Sequence, residues 1–473
     1  MSLLSAEREL TRNSYYAATA PRERSFPALQ SDVDCDVAVV GGGFAGLSAA
    51  IELADRGMKV MVLEAREVGW GASGRNGGQV IPGLACEQSE IEQQLGLADS
   101  RRVWNMTLEA IDLIAQRRER FGIDCDWQPG YLSLADSPRK ARELQTWQAT
   151  MGERYGHAMP WIGPVDMPQW IASPRFHGGV HDARGGHLHP LKYCLGLARA
   201  AASLGVTIHE HSPVVGLEPG GRVRLRCATA STPALTPTLS RREREQSPLS
   251  QGERGQEAGG GSVRASHVLL AGNVYLDALT PGLAPSLAPR IMPVGTYIVA
   301  SEPLSREVAA ALIPSRSAVC DTNFVLDYFR TTADDRLLYG GRVSYSTATP
   351  ANLSHSMQRR MAFTFPQLEA TKIDYAWGGF VDISMKRAPD FGRLPGTHGK
   401  AAQANVYYLQ GFSGHGVALT GLAGKLVAEA IAGDAQRFDV FARIRQGAFP
   451  GGRWLRTPAL VAGMAYYRLR DLL

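Results

Sequence analysis

Short apolar runs and amphipathic stretches alternate along this chain in a definite order. "DVAVV" (36–40) and "KVMVLEA" (59–65) are brief runs rich in β-branched residues, the pattern of strands buried on both faces of a parallel sheet. Between them "AGLSAAIELADRG" (45–57) spaces its apolar residues as a helix does and ends at Gly57, a good stop signal. Strand, glycine turn, helix and strand make a βαβ unit.

Residues 88–155 read as mainly helical and charged, with "PGYLSLAD" (129–136) returning as a strand. "HPLKYCLGLARAAASLGVTIHEHSPVVGLE" (189–218) predicts a helix and then strand, and "SHVLLAGN" (266–273) a buried strand ending in a small-residue turn. Strand patterns dominate 291–345. "NVYYLQGFSGHGVALTGLAGKLVAEAIAG" (405–433) predicts strand, glycine loop and helix. The fold class is therefore α/β, α+β overall. A Rossmann-like domain is assembled from 30–90, 160–285 and 375–445. A second domain, mainly an antiparallel sheet with helices, takes 91–159 and 286–374, and 446–473 forms a tail. That tail is basic and amphipathic; it packs on its own body or a partner subunit, or lies on a membrane surface.

One segment breaks the pattern. Residues 231–262 are Pro, Ser, Arg, Glu and Gly without periodicity, four Arg against four Glu. Such composition cannot bury enough apolar surface to order itself. It reads as a disordered insertion in a β-hairpin formed by "RVRLRCA" and "VRASHVLL", with a docking arm as the functional alternative.

Composition then narrows the classes. The net charge of +5 over 473 residues comes without a basic cluster, so no nucleic-acid partner is expected. No run approaches the roughly 20 apolar residues of a membrane span. Six scattered cysteines show neither CxxC nor metal spacing, which suits free thiols in the cytoplasm. "GGHLHP" places His187 and His189 two apart, but no further ligand cluster accompanies them, and they organise the turn before a helix rather than bind a metal. Neither Ser73 nor Ser413 sits in G-x-S-x-G, so a serine hydrolase is not expected.

The chemistry begins at Gly41, Gly43 and Gly46, a G-x-G-x-x-G at the strand-to-helix turn. Gly41 permits the turn, Gly43 lets backbone N–H groups approach a pyrophosphate, and Gly46 lets helix pack on strand. The helix N-terminus supplies partial positive charge. Glu64 closes the second strand, 18 residues after Gly46, where a carboxylate suits a ribose with both hydroxyls free. A simple NAD dehydrogenase would continue into further βαβ units. Here "REVGWGASGRNGGQ" (66–79) follows at once, a small-residue loop able to lie along an extended flavin dinucleotide. In it Arg75 would offset phosphate charge, and Asn76 to Gln79 would offer amide contacts.

These motifs, with "SYYAATA", "GGHLHPLKYCLGLARAA" and "QGFSGHGVALTGLAGKLVAEAI", resemble the FAD-dependent D-amino-acid oxidase-like superfamily, which includes sarcosine and glycine oxidases. The resemblance covers nearly the whole chain except 231–262. It implies an ADP-binding motif of Gly41, Gly43, Phe44, Ala45, Gly46, Glu64, Ala65 and Arg66. It implies a second flavin loop of Ser73, Arg75, Asn76, Gly77 and Gly78. Val214 falls at the position whose backbone meets adenine, and Ala271 and Gly272 at the turn closing over the dinucleotide. Gly411, Phe412, Ser413, Gly414, His415 and Gly416 match the loop beside the flavin ring. Some sarcosine oxidases hold flavin covalently through a Cys before a Pro-Asp pair; "DISMKRAPDFG" has none, so noncovalent FAD is expected.

The implied activity is oxidation of an amine, with hydride passing from the carbon that bears nitrogen and the imine hydrolysing to an aldehyde and an amine or ammonia. γ-Glutamylputrescine, in putrescine catabolism, is the expected substrate, with oxygen or another electron acceptor. The alternatives are an oxidase or dehydrogenase of sarcosine, glycine or a D-amino acid, or a flavin-binding subunit without turnover. The catalytic residues are not legible. Arg330 and Tyr328 in "VLDYFR", Trp377 and His415 are pocket candidates: Arg330 as a carboxylate clamp or an exposed strand arginine, Trp377 as an amine-facing wall or core packing.

Overall fold

The computed structural model describes residue 4 and residues 10–228, 260–344, 352–395 and 403–451. The expected insertion at 231–262 lies almost wholly outside the described residues, as does most of the expected tail.

Val33–Val40 is the spine of the first sheet. Val37, Ala38 and Val39 are fully buried, as a central strand covered on both faces requires. It pairs in parallel with Val60–Leu63 on one side and Ser262–Leu270 on the other. Thr207–His209 extends one edge in parallel, Gln403–Gln410 extends the other, and antiparallel Asp390–Leu394 closes it. Val214–Glu218 and Val223–Cys227 form an antiparallel pair, and the latter pairs antiparallel with Ser262–Leu270. The strands expected to flank the insertion are thus hydrogen-bonded neighbours.

The helix Phe44–Ala54 returns the chain over this sheet and ends ahead of Gly57, whose φ is +77°. The helix Gly416–Ile431 crosses it closely at Gly424, where an added Cβ would stand 2.6 Å from the Ala49 nitrogen and 2.7 Å from the Ala45 oxygen. Only glycine permits that approach.

The second sheet runs, edge to edge, through Ile373–Ser384, Ile291–Ser301, Leu337–Ser344, Tyr328–Thr331, Ala318–Asp321, Gln128–Ala135, Gly178–His187 and Gln79–Val80, with Trp161–Ile162 beside Gly178–His187. All its pairings are antiparallel except Ala318–Asp321 with Gln128–Ala135. Sheet membership departs from the expected boundaries. Gln79–Val80, Gly178–His187 and all but the first two residues of Ile373–Ser384 fall in segments expected with the first domain but pair in the second sheet. Their partners lie far along the chain, Tyr131 opposite Asp182 and Tyr297 opposite Gly378, and strand partnership of that range leaves no local pattern.

Residues 10–30 precede the first strand and run across both sheets. Tyr15 and Tyr16 are buried against Trp377 and His189. Farther on, the Phe26 N–H donates to the Glu210 carboxylate at 2.9 Å and the Leu29 N–H to Ser212 Oγ at 2.9 Å.

Candidate active site between the two sheets

Four loops meet at the carboxyl ends of the first sheet's strands, where ligands of open α/β sheets bind. The first is the glycine turn. A Cβ on Gly41 (φ +116°) would sit 2.8 Å from the Ala271 oxygen, and one on Gly46 only 2.0 Å from the Gly41 oxygen. Gly43 caps the helix that begins at Phe44, and Ser73 Oγ, from the second loop, accepts the Phe44 N–H at 3.0 Å.

Glu64 follows the second strand, Val60–Leu63. Its two oxygens accept the N–H groups of Gly42 at 2.7 Å and Arg66 at 2.9 Å, while burial pushes its pKa up. In the second loop the Asn76 side chain is spent on the loop itself. It donates to Ala72 and Ser73 oxygens and accepts the Gly78 N–H at 2.8 Å. Arg75, 7% exposed, lies over the Trp70 ring, its Cζ 4.5 Å from the centroid, with its chain against Gly379 of the second sheet.

The third loop is Ala271–Gly272–Asn273, at the end of Ser262–Leu270. The Ala271 N–H donates to Val40 oxygen at 2.8 Å. The fourth is Gly411–Gly416, held to the second sheet by Asp382. That carboxylate accepts the Phe412 N–H at 2.7 Å, the Asp382 carbonyl accepts the Ser413 N–H at 3.0 Å, and Ser413 Oγ accepts the Ser384 N–H at 3.1 Å. Burial raises the Asp382 pKa to about 6. His415 precedes the helix Gly416–Ile431, its pKa lowered to about 4 by burial and by Arg387.

The loops enclose one long cleft, with about 1300 Å³ between its walls including the open mouth. Of the residues expected to hold cofactor, Gly41, Gly43, Phe44, Ala45, Glu64, Ala65, Ser73, Asn76, Val214, Ala271, Gly272, Phe412, Gly414 and Gly416 line it. Gly46, Arg66, Arg75, Gly77, Gly78, Gly411, Ser413 and His415 do not; they lie beside lining residues and shape the loops that carry them.

A family model described as FAD dependent oxidoreductase (DAO) matches residues 36–430. The chain belongs to this FAD-dependent oxidoreductase family. It is 40% identical to γ-glutamylputrescine oxidoreductase of Escherichia coli over 98% of each chain, and 38% identical to a probable oxidoreductase OrdL of Haemophilus influenzae over 97% of each. Solved structures share the fold: glycine oxidase of Geobacillus kaustophilus has a TM-score of 0.63 at 21% identity, covering 84% of this chain and 95% of its own.

The cofactor of an FAD-dependent oxidoreductase is FAD, and the cleft fits it. Side-chain-free turns at Gly41 and Gly43 admit a pyrophosphate beside a helix N-terminus. Glu64 lines the same cleft at the end of the neighbouring strand. The buried Oδ1 of Asn273 has no hydrogen-bond partner within the chain, as expected of an acceptor reserved for a ligand. Among the described residues no cysteine lines the cleft.

The pocket candidates Arg330, Tyr328 and Trp377 lie behind the second loop of this oxidoreductase, His415 belongs to the fourth loop, and none of the four lines the cleft. Arg330 is 2% exposed, so the exposed-arginine alternative does not hold; it donates from Nε to Gly77 oxygen at 2.8 Å and from Nη2 to Leu188 oxygen and Tyr16 Oη, both at 3.2 Å. Trp377, 1% exposed, donates from Nε1 to Arg75 oxygen at 3.1 Å. The Tyr328 ring occupies the space that a Cβ on Gly77 or Gly340 would need, 2.6 and 2.2 Å from its Cε2. His187 and His189 do not converge. His187 Nε2 meets Arg316 oxygen at 2.9 Å, while His189 caps the helix Pro190–Ser203 by accepting the Lys192 N–H at 3.2 Å.

Trp70, Asn273, Tyr275 and Asp382 also line the cleft and escaped sequence reasoning. Trp70 was signalled by its position between two glycines of the second loop. Asp382 comes from the second sheet, and no local pattern marks such a residue.

No helix among the described residues is long and apolar enough to cross a membrane.

Proposed function

We propose that this enzyme oxidises γ-glutamylputrescine or a close N-substituted amine, and passes the electrons to oxygen or another acceptor in the cytoplasm. The observation that carries this reading is end-to-end similarity to an enzyme named for that substrate, 40% identical over 98% of each chain. The free cysteines fit a reducing compartment.

In this reading the Gly41–Gly43 turn holds the pyrophosphate, Glu64 the ribose, and the loops 69–79 and 411–416 the ring end. When bound, FAD accepts hydride from the carbon bearing nitrogen. The chain's part is to bind, orient and exclude water. The apolar walls given by Trp70, Tyr275 and Phe412 favour the neutral amine, the form able to give up hydride. The N-terminus of Gly416–Ile431 would supply partial positive charge to a flavin ring held by the loop 411–416. The imine product takes up water to give an aldehyde and an amine or ammonia.

The test is anaerobic titration of the yellow protein with γ-glutamylputrescine, putrescine, sarcosine, glycine and D-alanine while the visible flavin band is followed. Bleaching by γ-glutamylputrescine at far lower concentration than by the others is the expected result. Bleaching by sarcosine, glycine or D-alanine instead would replace the substrate, and no bleaching by any would leave a flavin-binding subunit.

A further inference from the structure

Asn273 combines three features found together at no other residue of the cleft. Its backbone is at φ +51°, ψ −136°, outside even the left-handed basin that Asn tolerates and close to glycine's own territory. Its side chain faces the Asp382 carboxylate and helps hold that group's pKa down against burial, bringing a strand end of the first sheet beside a strand of the second. Its Oδ1 is buried and has no partner in the chain, although both residues line the cleft.

A strained backbone persists where its surroundings over-determine it, often at a ligand clamp. Here Asn273 lies beside Asp382, and Asp382 is itself fixed by the Phe412 N–H at 2.7 Å. An amide that donates on one side leaves its carbonyl oxygen on the other. A buried acceptor without a partner is costly in the empty chain, and a ligand donor removes that cost.

We infer that Asn273 is a flavin-positioning residue, oriented by Asp382, whose Oδ1 accepts a hydrogen bond from an O–H or N–H of bound FAD. This rests on reading the cleft as the seat of FAD. The pair also makes cofactor binding sensitive to the relative placement of the two sheets, since one partner comes from each.

The experiment compares the full-length protein with Asn273→Gly, Asn273→Ala and, as a control on the cleft itself, Gly43→Val. FAD dissociation constants are measured by flavin fluorescence, and thermal midpoints on protein stripped of flavin. Glycine deletes the acceptor and relieves the backbone; alanine deletes the acceptor and keeps the strain. Both should weaken FAD about tenfold, roughly one hydrogen bond, while the flavin-free midpoint of Asn273→Gly equals or exceeds that of the parent and Asn273→Ala falls below it. Parental affinity in both Asn273 variants, with flavin lost from Gly43→Val, would overturn this inference and leave the cleft reading standing. Parental affinity in Gly43→Val would overturn both. A weakening in Asn273→Gly matched by a fall in its flavin-free midpoint would make Asn273 merely structural and also overturn the inference.

Discussion

Arg330 donates from Nε to the carbonyl oxygen of Gly77 at 2.8 Å, from the middle of one sheet to the loop that borders the cleft. The same guanidinium reaches Leu188 oxygen and Tyr16 Oη. Arg330→Met would strand three buried polar groups, at about 1–3 kcal/mol each. We expect a loss of at least about 3 kcal/mol in stability and weaker flavin retention, measured by denaturant unfolding and by flavin released on dialysis. Arg330→Lys should recover only part, because a point charge cannot span the fork. A carboxylate clamp would behave otherwise: Arg330→Lys would raise KM and leave unfolding untouched.

Asp382 gives a pH dependence. Its folded pKa is raised to about 6 by burial, above the usual value near 3.9. The folded chain then holds the proton more tightly than the unfolded one, so this residue favours folding at low pH and the advantage is lost as pH rises from about 4 to about 6. The difference of about two pKa units corresponds to about 3 kcal/mol. Asp382→Asn keeps an oxygen for the Phe412 N–H and removes the charge. The flavin-free variant should be more stable than the parent at pH 8, and the two should converge near pH 4 in urea titrations.

Two glycines separate fold from site. Gly46→Ala would drive a Cβ to 2.0 Å from the Gly41 oxygen, prising the helix off the turn, and a colourless or unstable protein is expected. Gly57 has φ +77° but open space around its Cα. Gly57→Ala should cost about 1–2 kcal/mol and remain yellow. Absorbance at the flavin band and a thermal melt check both.

Replacing residues 230–258 by Asn-Gly should leave flavin content unchanged and the thermal midpoint within about 2 °C, since the flanking strands already pair through Val223–Ala265 and Arg226–Ser262 and loop closure depends only weakly on length.

The sequence disclosed the first sheet's core well, because buried parallel strands and the helix between them carry local signals: Val37 to Val39, the Gly41–Gly46 turn and Glu64 were all legible. The second sheet was legible as strands but not as partners. That is why Gly178–His187 and Ile373–Ser384 changed sides, and why Asp382 went unnoticed. Arg330 and Trp377 were singled out as candidates for the substrate pocket, yet the direction of their side chains depends on Gly77 and Arg75, some 250 and 300 residues away. A lone polar residue such as Asn273 has no periodicity to declare it.

The arm formed by residues 10–30 has a bearing on how the chain is made. Tyr16 emerges from the ribosome early, but its neighbours Arg330 and Trp377 follow only after more than three hundred further residues. At roughly 5–20 residues per second that is a wait of about 16–70 seconds. The strand Val33–Val40 also waits for Ser262–Leu270 to take up its second edge. During synthesis, therefore, two aromatic side chains and one unsatisfied strand edge stand exposed near the amino terminus. This is the interval in which a nascent-chain chaperone would have most to shield.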